Sequence, residues 1–406
     1  MGEVSRRVGD RLTDRIGIGV LTRVFHRDLV DEVLITTRKN ERRVRLLPAR
    51  VVVYYVLALT LFFGDSYEEV MRKMVNGLRF ARTWRQEWTV PSSSALTQAR
   101  TRLGPEPLRE LFLRAAVPLA APGSTGAWYN GLRVMAIDGV VLDTPDTPDN
   151  VDRFGKRGHK DGESAYPQIR VVGLVECGTH AMVGAVLDSW RVYERELTER
   201  LLDQVEPDML ITADRGFFSY DLWKQACATS AHLLWRVSAP LALPVLTELP
   251  DGSYLSELLP KNLKAALNAG KKRTIPDGAR IPVRVIEYQV SNRPGSETIR
   301  LITTLTDHEE APGLELAALY AERWEFEITL DEIETHQLGG YRVLRSKKPD
   351  LIEQEVWGML LTHYAIRHLM HEAADNIDID EDRLSFLRSL RVVRRSIASD
   401  ADFPPK

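Results

Sequence analysis

The chain has 406 residues, with 54 Lys and Arg against 57 Asp and Glu and a formal net charge of -3. That balance argues against a histone-like coat of positive charge but leaves room for DNA binding through local basic patches. Two cysteines, Cys177 and Cys227, are too few for a disulfide framework or a structural zinc site. The most apolar run, VVVYYVLALTLFF from Val51, is shorter than the roughly 20 residues a membrane span needs. A reduced, cytoplasmic setting with no membrane association is the expectation.

Residues 1–110 read as a helical domain. VLTRVFHRDLVDEVLITT carries apolar residues at helical spacing, a basic cluster runs from Arg38 to Arg45, and LLPARVVVYYVLALTLFFG and GDSYEEVMRKMVNGLRF follow. In WTVPSSSALTQARTRLGPEPL a serine cluster can cap a short helix that a Gly-Pro pair stops. That helix offers Gln98, Arg100 and Arg102, which suits it to DNA.

APGSTGAWYNG is a turn-rich boundary, after which strands predominate. RVMAIDG predicts a buried strand ending at Asp138, and YPQIRVVGLVECGTHAMVGAVLDSW predicts two more in a hairpin about Cys177–Thr179. Helix ERELTERLLDQV, strand DMLITADRGF ending near Asp214, helix SYDLWKQACATS and strand AHLLWRVSA complete residues 125–238. The order is that of a mixed α/β sheet covered by helices. Between Asp143 and Ser164 the sequence predicts a long polar loop. Its Lys156, Arg157 and Lys160 are candidates to follow a DNA backbone, while Asp143, Asp146 and Asp149 read as turn formers. Arg215 either orients a phosphate or pairs with an acid. His159 and His180 lack partners at metal spacing and read as structural or surface residues.

Residues 239–306 shift to Pro, Gly and Lys with strand-like RIPVRVIEYQV and ETIRLITTLTD, the pattern of a β-rich insertion. Helices resume over 307–377, assigned to the end of the core, and 378–406 form a charged tail. YAERWEFEITLDEIETH predicts one helix with Tyr320, Arg323, Glu327 and Glu334 close to one face. Trp324, beside its apolar stripe, is expected to pack. A core-facing Glu327 is costly without a partner. If it meets Asp138 and Asp214, three carboxylates repel unless cations neutralise them, and an all-oxygen set suits Mg2+ or Mn2+.

On these residues the chain resembles bacterial insertion-element transposases of the DDE class, the family with a Y-x2-R-x3-E-x6-K signature. Tyr320, Arg323 and Glu327 match that signature, while Glu334 stands in the lysine's position. IDG at Asp138 and ADRGF at Asp214 match the first two acids, and PARVVVYYVLALTLF, SYEEVM and PSSSALTQARTRLG resemble the family's N-terminal helical domain. The resemblance implies an RNase H-like core with a β-rich insertion, catalysis and metal binding by Asp138, Asp214 and Glu327, and two Mg2+ or Mn2+ ions. It also implies DNA contacts by Tyr320 and Arg323, cleavage at element ends, strand transfer to target DNA, and action as a dimer on double-stranded DNA. Glu334 would repel the phosphate that a lysine attracts. The residues leave two other readings open: a relic that binds ends without cutting, and metal-free glycoside hydrolysis by paired carboxylates.

Overall fold

The computed structural model describes residues 21–41, 47–79, 90–159, 162–268, 274–289, 298–341, 343–377 and 379–399. They fall into two compact units. One takes the described residues up to Val117, Glu332–Ile379 and those from Arg383 on; the other is Pro118–Asp331 with Asp380–Asp382.

The first unit begins with α1 (Leu21–Val24), α2 (Arg27–Thr36), α3 (Ala49–Leu61), α4 (Tyr67–Arg79), α5 (Ser93–Leu103) and α6 (Glu106–Ala115). Every residue of α3 from Val51 to Leu61 is buried, as a helix apolar on all sides must be. Helix α5 starts where expected: Ser92 accepts the Ala95 N–H at 3.3 Å, and Gly104 ends the helix with a φ of 73°. The basic cluster from Arg38 is described only as far as Glu41, so its later members lie outside the described residues.

The second unit is built on an eleven-stranded sheet. Strands β1 (Trp128–Tyr129) and β2 (Leu132–Asp143) lead to α7 (Pro148–Phe154), β3 (Lys156–His159), β4 (Gly162–Glu176) and β5 (Ala181–Ser189). Helix α8 (Glu194–Leu201), β6 (Met209–Ala213), α9 (Tyr220–Ala228) and β7 (His232–Val237) complete the core order β5-β4-β2-β6-β7. Strand β4 is antiparallel to β2 and β5, while β2, β6 and β7 run parallel, so the core is the expected RNase H-like mixed sheet. The stretch after Asp143 is not a plain loop. Thr147 caps α7, Pro148 takes its first turn, and β3 pairs with β4.

The insertion contributes β8 (Thr247–Glu248), β9 (Tyr254–Leu258), α10 (Lys261–Asn268), β10 (Ile281–Gln289) and β11 (Thr298–Thr303). It extends the sheet, because β11 adds antiparallel to the free edge of β7. Helices α11 (Gly313–Ala321) and α12 (Trp324–Asp331) follow.

The stretch read as one helix is interrupted twice. It breaks between Ala321 and Trp324, and from Glu332 to Gln337 it becomes π-helical. Glu334 therefore does not continue the α-helical face of Glu327. Periodicity alone could not reveal this, since one inserted residue per turn shifts every later position.

Helix α13 (Pro349–Asp375) and α14 (Phe386–Ser399) belong to the first unit, where the sequence placed residues up to 377 with the core. Helix α13 packs on α3: Gly358 lies against Val56, and the hydroxyls of Thr60 and Thr362 meet at 2.9 Å. Among the described residues no helix is long and apolar enough to cross a membrane.

Arg100 belongs to this packing. It is 1% exposed, and its guanidinium donates to Gln354 Oε1 (2.8 Å), Tyr67 OH (2.9 Å), Ser346 Oγ and the Leu351 carbonyl (both 3.0 Å). The expectation that it faces DNA is corrected, because no exposed donor remains. Arg100→Ala strands these acceptors and is expected to cost about 3 kcal/mol. Chemical denaturation checks this, and an unchanged midpoint would contradict it.

Candidate active site

Two parallel strands set the first two acids side by side. Ile137 of β2 is level with Ala213 of β6, so Asp138 and Asp214 each come one residue later on neighbouring strands. Asp214 follows the end of its strand, as the sequence predicts. Asp138 does not end β2, which runs on to Asp143 paired with β4. What ends beside Asp138 is the pairing with β6.

Directly across from Asp138 on β4 lies Gly173. A Cβ there would stand 3.1 Å from the Met182 side chain and 3.3 Å from the Phe326 ring. The missing side chain therefore lets Phe326 of α12 reach the sheet next to Asp138. Leu, Trp or Phe burial of this kind is what holds a short helix that propensity alone would not.

Helix α12 and the residue before it complete the site. Arg323 Nη1 lies 2.8 Å from Asp138 Oδ2, and its Nη2 lies 3.3 Å from Glu327 Oε1. Tyr320 OH stands 3.4 Å from Asp214 Oδ1 and 3.5 Å from the Ala213 carbonyl. Arg236 Nη1 approaches Asp214 Oδ1 at 3.7 Å. Burial pushes the Asp138 carboxyl above its ordinary range, with Asp214 and Glu194 adding to the shift; the Gly139 N–H and Arg323 oppose it without cancelling it. Burial also raises the Tyr320 hydroxyl, keeping it protonated and able to donate. Burial alone would lower Arg323, but Tyr320, Asp138, Asp214 and Glu327 outweigh it and hold the guanidinium charged.

Tyr320 and Arg323 are thus turned inward, only 6% and 8% exposed, where the sequence predicted DNA contacts. The cause is electrostatic: acids gathered at one place draw in the nearest cation and hydroxyl. Trp324, expected to pack, is 58% exposed. Gln98, Arg102, Arg157 and Arg215 are exposed. Lys156 pairs with Asp146 at 2.9 Å, and Lys160 lies outside the described residues.

Sequence reasoning missed two charged neighbours. Arg236 sits inside β7, where a strand pattern gives no hint of an aspartate on the next strand. Glu194 lies at the start of α8, its Cγ 3.3 Å from where a Gly139 Cβ would be. Pattern gives neither, since both are contacts between elements.

The donor chemistry fits a hard divalent cation, since Asp138, Asp214 and Glu327 offer only carboxylate oxygens. Among the described residues, however, no three His, Cys, Asp or Glu side chains stand close enough together to hold a metal ion. Asp138 and Glu327 are joined to Arg323 instead.

Comparison with known proteins places these features. Residues 15–113 match the family described as insertion element 4 transposase N-terminal, and residues 129–364 match the transposase DDE domain. "Transposase InsG for insertion sequence element IS4" of Escherichia coli (strain K12) is 30% identical over 378 residues, covering 92% of this chain and 80% of that protein. A piggyBac transposase synaptic complex with hairpin DNA aligns over 96% of this chain and 82% of its own, at a TM-score of 0.48 and 13% identity, too low to bear on the site. With its helical N-terminal region and its mixed-sheet core both matched, the chain belongs to the insertion element 4 family of DDE transposases.

Proposed function

We propose that this chain cuts DNA at the ends of its own insertion element and joins the freed ends to target DNA, with Mg2+ or Mn2+ as cofactor. The observation that carries the proposal is Asp138 and Asp214 set side by side by neighbouring strands, with Arg323 joining Asp138 to Glu327, in a chain of the DDE family. Asp138, Asp214 and Glu327 would hold two divalent cations. When bound, these polarise the attacking and leaving oxygens of the phosphodiester.

In the first step the oxygen of water bonds to phosphorus and the bond to the 3′ oxygen breaks, leaving a 3′-hydroxyl. In the second, that hydroxyl attacks a phosphodiester of the opposite strand or of target DNA, and the displaced oxygen leaves as a new hydroxyl. The chain's part is to hold Asp138 and Asp214 on the sheet and Glu327 on α12, and to keep Arg323 charged between Asp138 and Glu327. Tyr320, protonated, stays a donor at Asp214. A homodimer on paired element ends is the assembly this scheme needs for joining two ends together.

Helix α5 is the proposed reader of the element ends, with exposed Gln98 and Arg102 in place of the buried Arg100. Phosphate contacts supply affinity and base contacts supply sequence preference. Arg102→Ala is expected to weaken binding at low salt and to reduce the slope of log affinity against log salt by about 1. An unchanged slope by fluorescence anisotropy would move recognition off this helix. Exposed Arg157 and Arg215 are further candidates for backbone contact.

A second reading, binding of ends without cutting, draws on exposed Glu334 in the position of the signature lysine. Incubating the purified protein with duplexes carrying the DNA that flanks its gene separates the two. Strand nicking that needs Mg2+ and stops on chelation supports the enzyme; sequence-selective binding with no nicking supports the relic.

A further inference from the structure

The turn between β4 and β5 grips the helix that carries the third acid. His180, in that turn, has a φ of 55°, a left-handed backbone that side chains other than glycine seldom adopt. Its ring Nε2 pairs with Glu325 Oε2 of α12, and both side chains are withdrawn from solvent, 4% and 13% exposed. Two further contacts link the same turn to the same helix region. The Cys177 thiol donates to the Glu322 carbonyl at 3.6 Å, and Thr329 Oγ1, whose proton goes to the Glu325 carbonyl of its own helix at 2.9 Å, lies 3.4 Å from the His180 carbonyl. Burial pushes the Cys177 thiol up, so it stays a protonated donor.

Glu325 stands two residues after Arg323 and two before Glu327. At 100° per residue, two residues turn the helix through about 200°. The turn therefore holds one side of α12, while Glu327 lies on the opposite side, where it meets Arg323. A register shift in the β4–β5 ladder between Leu174 and Val175 lies just before this turn, where bulges commonly re-aim the end of a strand.

We propose that His180 is a positioning residue: through Glu325 it fixes the rotation and depth of α12, and so the place of Glu327 and of the Arg323 guanidinium that joins it to Asp138. The inference rests on the proposed cleavage reaction for its kinetic consequence but not for its structural one. His180 does not touch the reacting atoms; it acts through the helix.

The test compares His180→Ala, His180→Gln and Glu325→Gln with wild type in the full-length protein. Amide hydrogen exchange without DNA should show α12 exchanging about tenfold faster in His180→Ala, with β2 and β6 unchanged. Cleavage at saturating end DNA should slow by about a hundredfold, the scale of a small misplacement, with end affinity preserved. His180→Gln, which keeps a donor for Glu325, should recover most of that rate. Adding Glu325→Ala to His180→Ala should slow cleavage no further if the two act as one unit.

Unchanged exchange over α12 overturns the proposal, as does faster exchange with undiminished cleavage. If His180→Ala fails to fold, Glu325→Ala, which removes the acceptor, decides: wild-type exchange and rate in that variant overturn the proposal, and a loss in both supports it. Should the wild-type protein cut no DNA, the proposed function fails, while the exchange result still decides whether the turn holds the helix.

Discussion

Alanine at Asp138, Asp214 or Glu327 is expected to abolish cleavage, by about a thousandfold or more, while binding to element ends is largely preserved. The scale is that of removing one charged partner of a transition state in a shielded site. End binding survives because the residues proposed for it, Gln98 and Arg102, lie on α5 of the helical unit. Gel-shift and nicking assays on the same preparations check both halves. Normal cleavage by any one folded variant would remove that residue from the triad.

Asp138 carries an additional, separable expectation. Its carboxyl titrates above the ordinary range because burial disfavours the charged form. The folded state therefore holds this proton more tightly than the unfolded chain does. Stability from this group is greatest at low pH and falls as pH rises from the ordinary carboxylate range through the raised value. Asp138→Asn removes that dependence, so it should lose cleavage yet melt no lower than wild type near neutral pH. An active site that sacrifices stability behaves in this way.

Arg323→Met should have the opposite profile. Its guanidinium, 9% exposed, is the cation that Asp138 and Glu327 share. Removing it leaves the half-buried Asp138 and the more exposed Glu327 uncompensated, at about 2–4 kcal/mol, a figure reduced because Glu327 is 44% exposed and screened by water. A divalent cation added to the variant should then raise its melting temperature more than it raises that of wild type, because arginine no longer competes for the oxygens. Thermal melts with and without Mg2+ measure both effects. Equal Mg2+ shifts in the two proteins would mean that Arg323 and the cation do not share the acids.

The mixed sheet was legible because its signals are local. Apolar runs of strand length needed no knowledge of the rest of the chain, although the first does not end at Asp138, which lies inside β2. Burial of charged groups was not legible. Arg100 sits in a capped helix with the look of a surface residue, and its partners Ser346 and Gln354 come from 246 and 254 residues away. Arg323 reads as a phosphate contact until Asp138 is found beside it. The helix predicted from Tyr320 onward failed for a different reason, since a π-turn at Glu332–Gln337 preserves helical composition while changing its period. His180 has no partner at metal spacing in the sequence, and its actual partner, Glu325, lies on a helix far along the chain.

The central claim is that Asp138, Asp214 and Glu327 hold divalent cations during DNA cleavage. A change of metal preference tests it most directly. A thiolate is a soft ligand, poorly matched to Mg2+ and better matched to a softer cation such as Mn2+ or Cd2+. Asp138→Cys should therefore cut end DNA negligibly with Mg2+ and regain a measurable rate with Mn2+ or Cd2+, while Asp138→Ala stays inactive with all three. Equal activity of wild type and Asp138→Cys in Mg2+, or cleavage by wild type that persists in chelator, would contradict it.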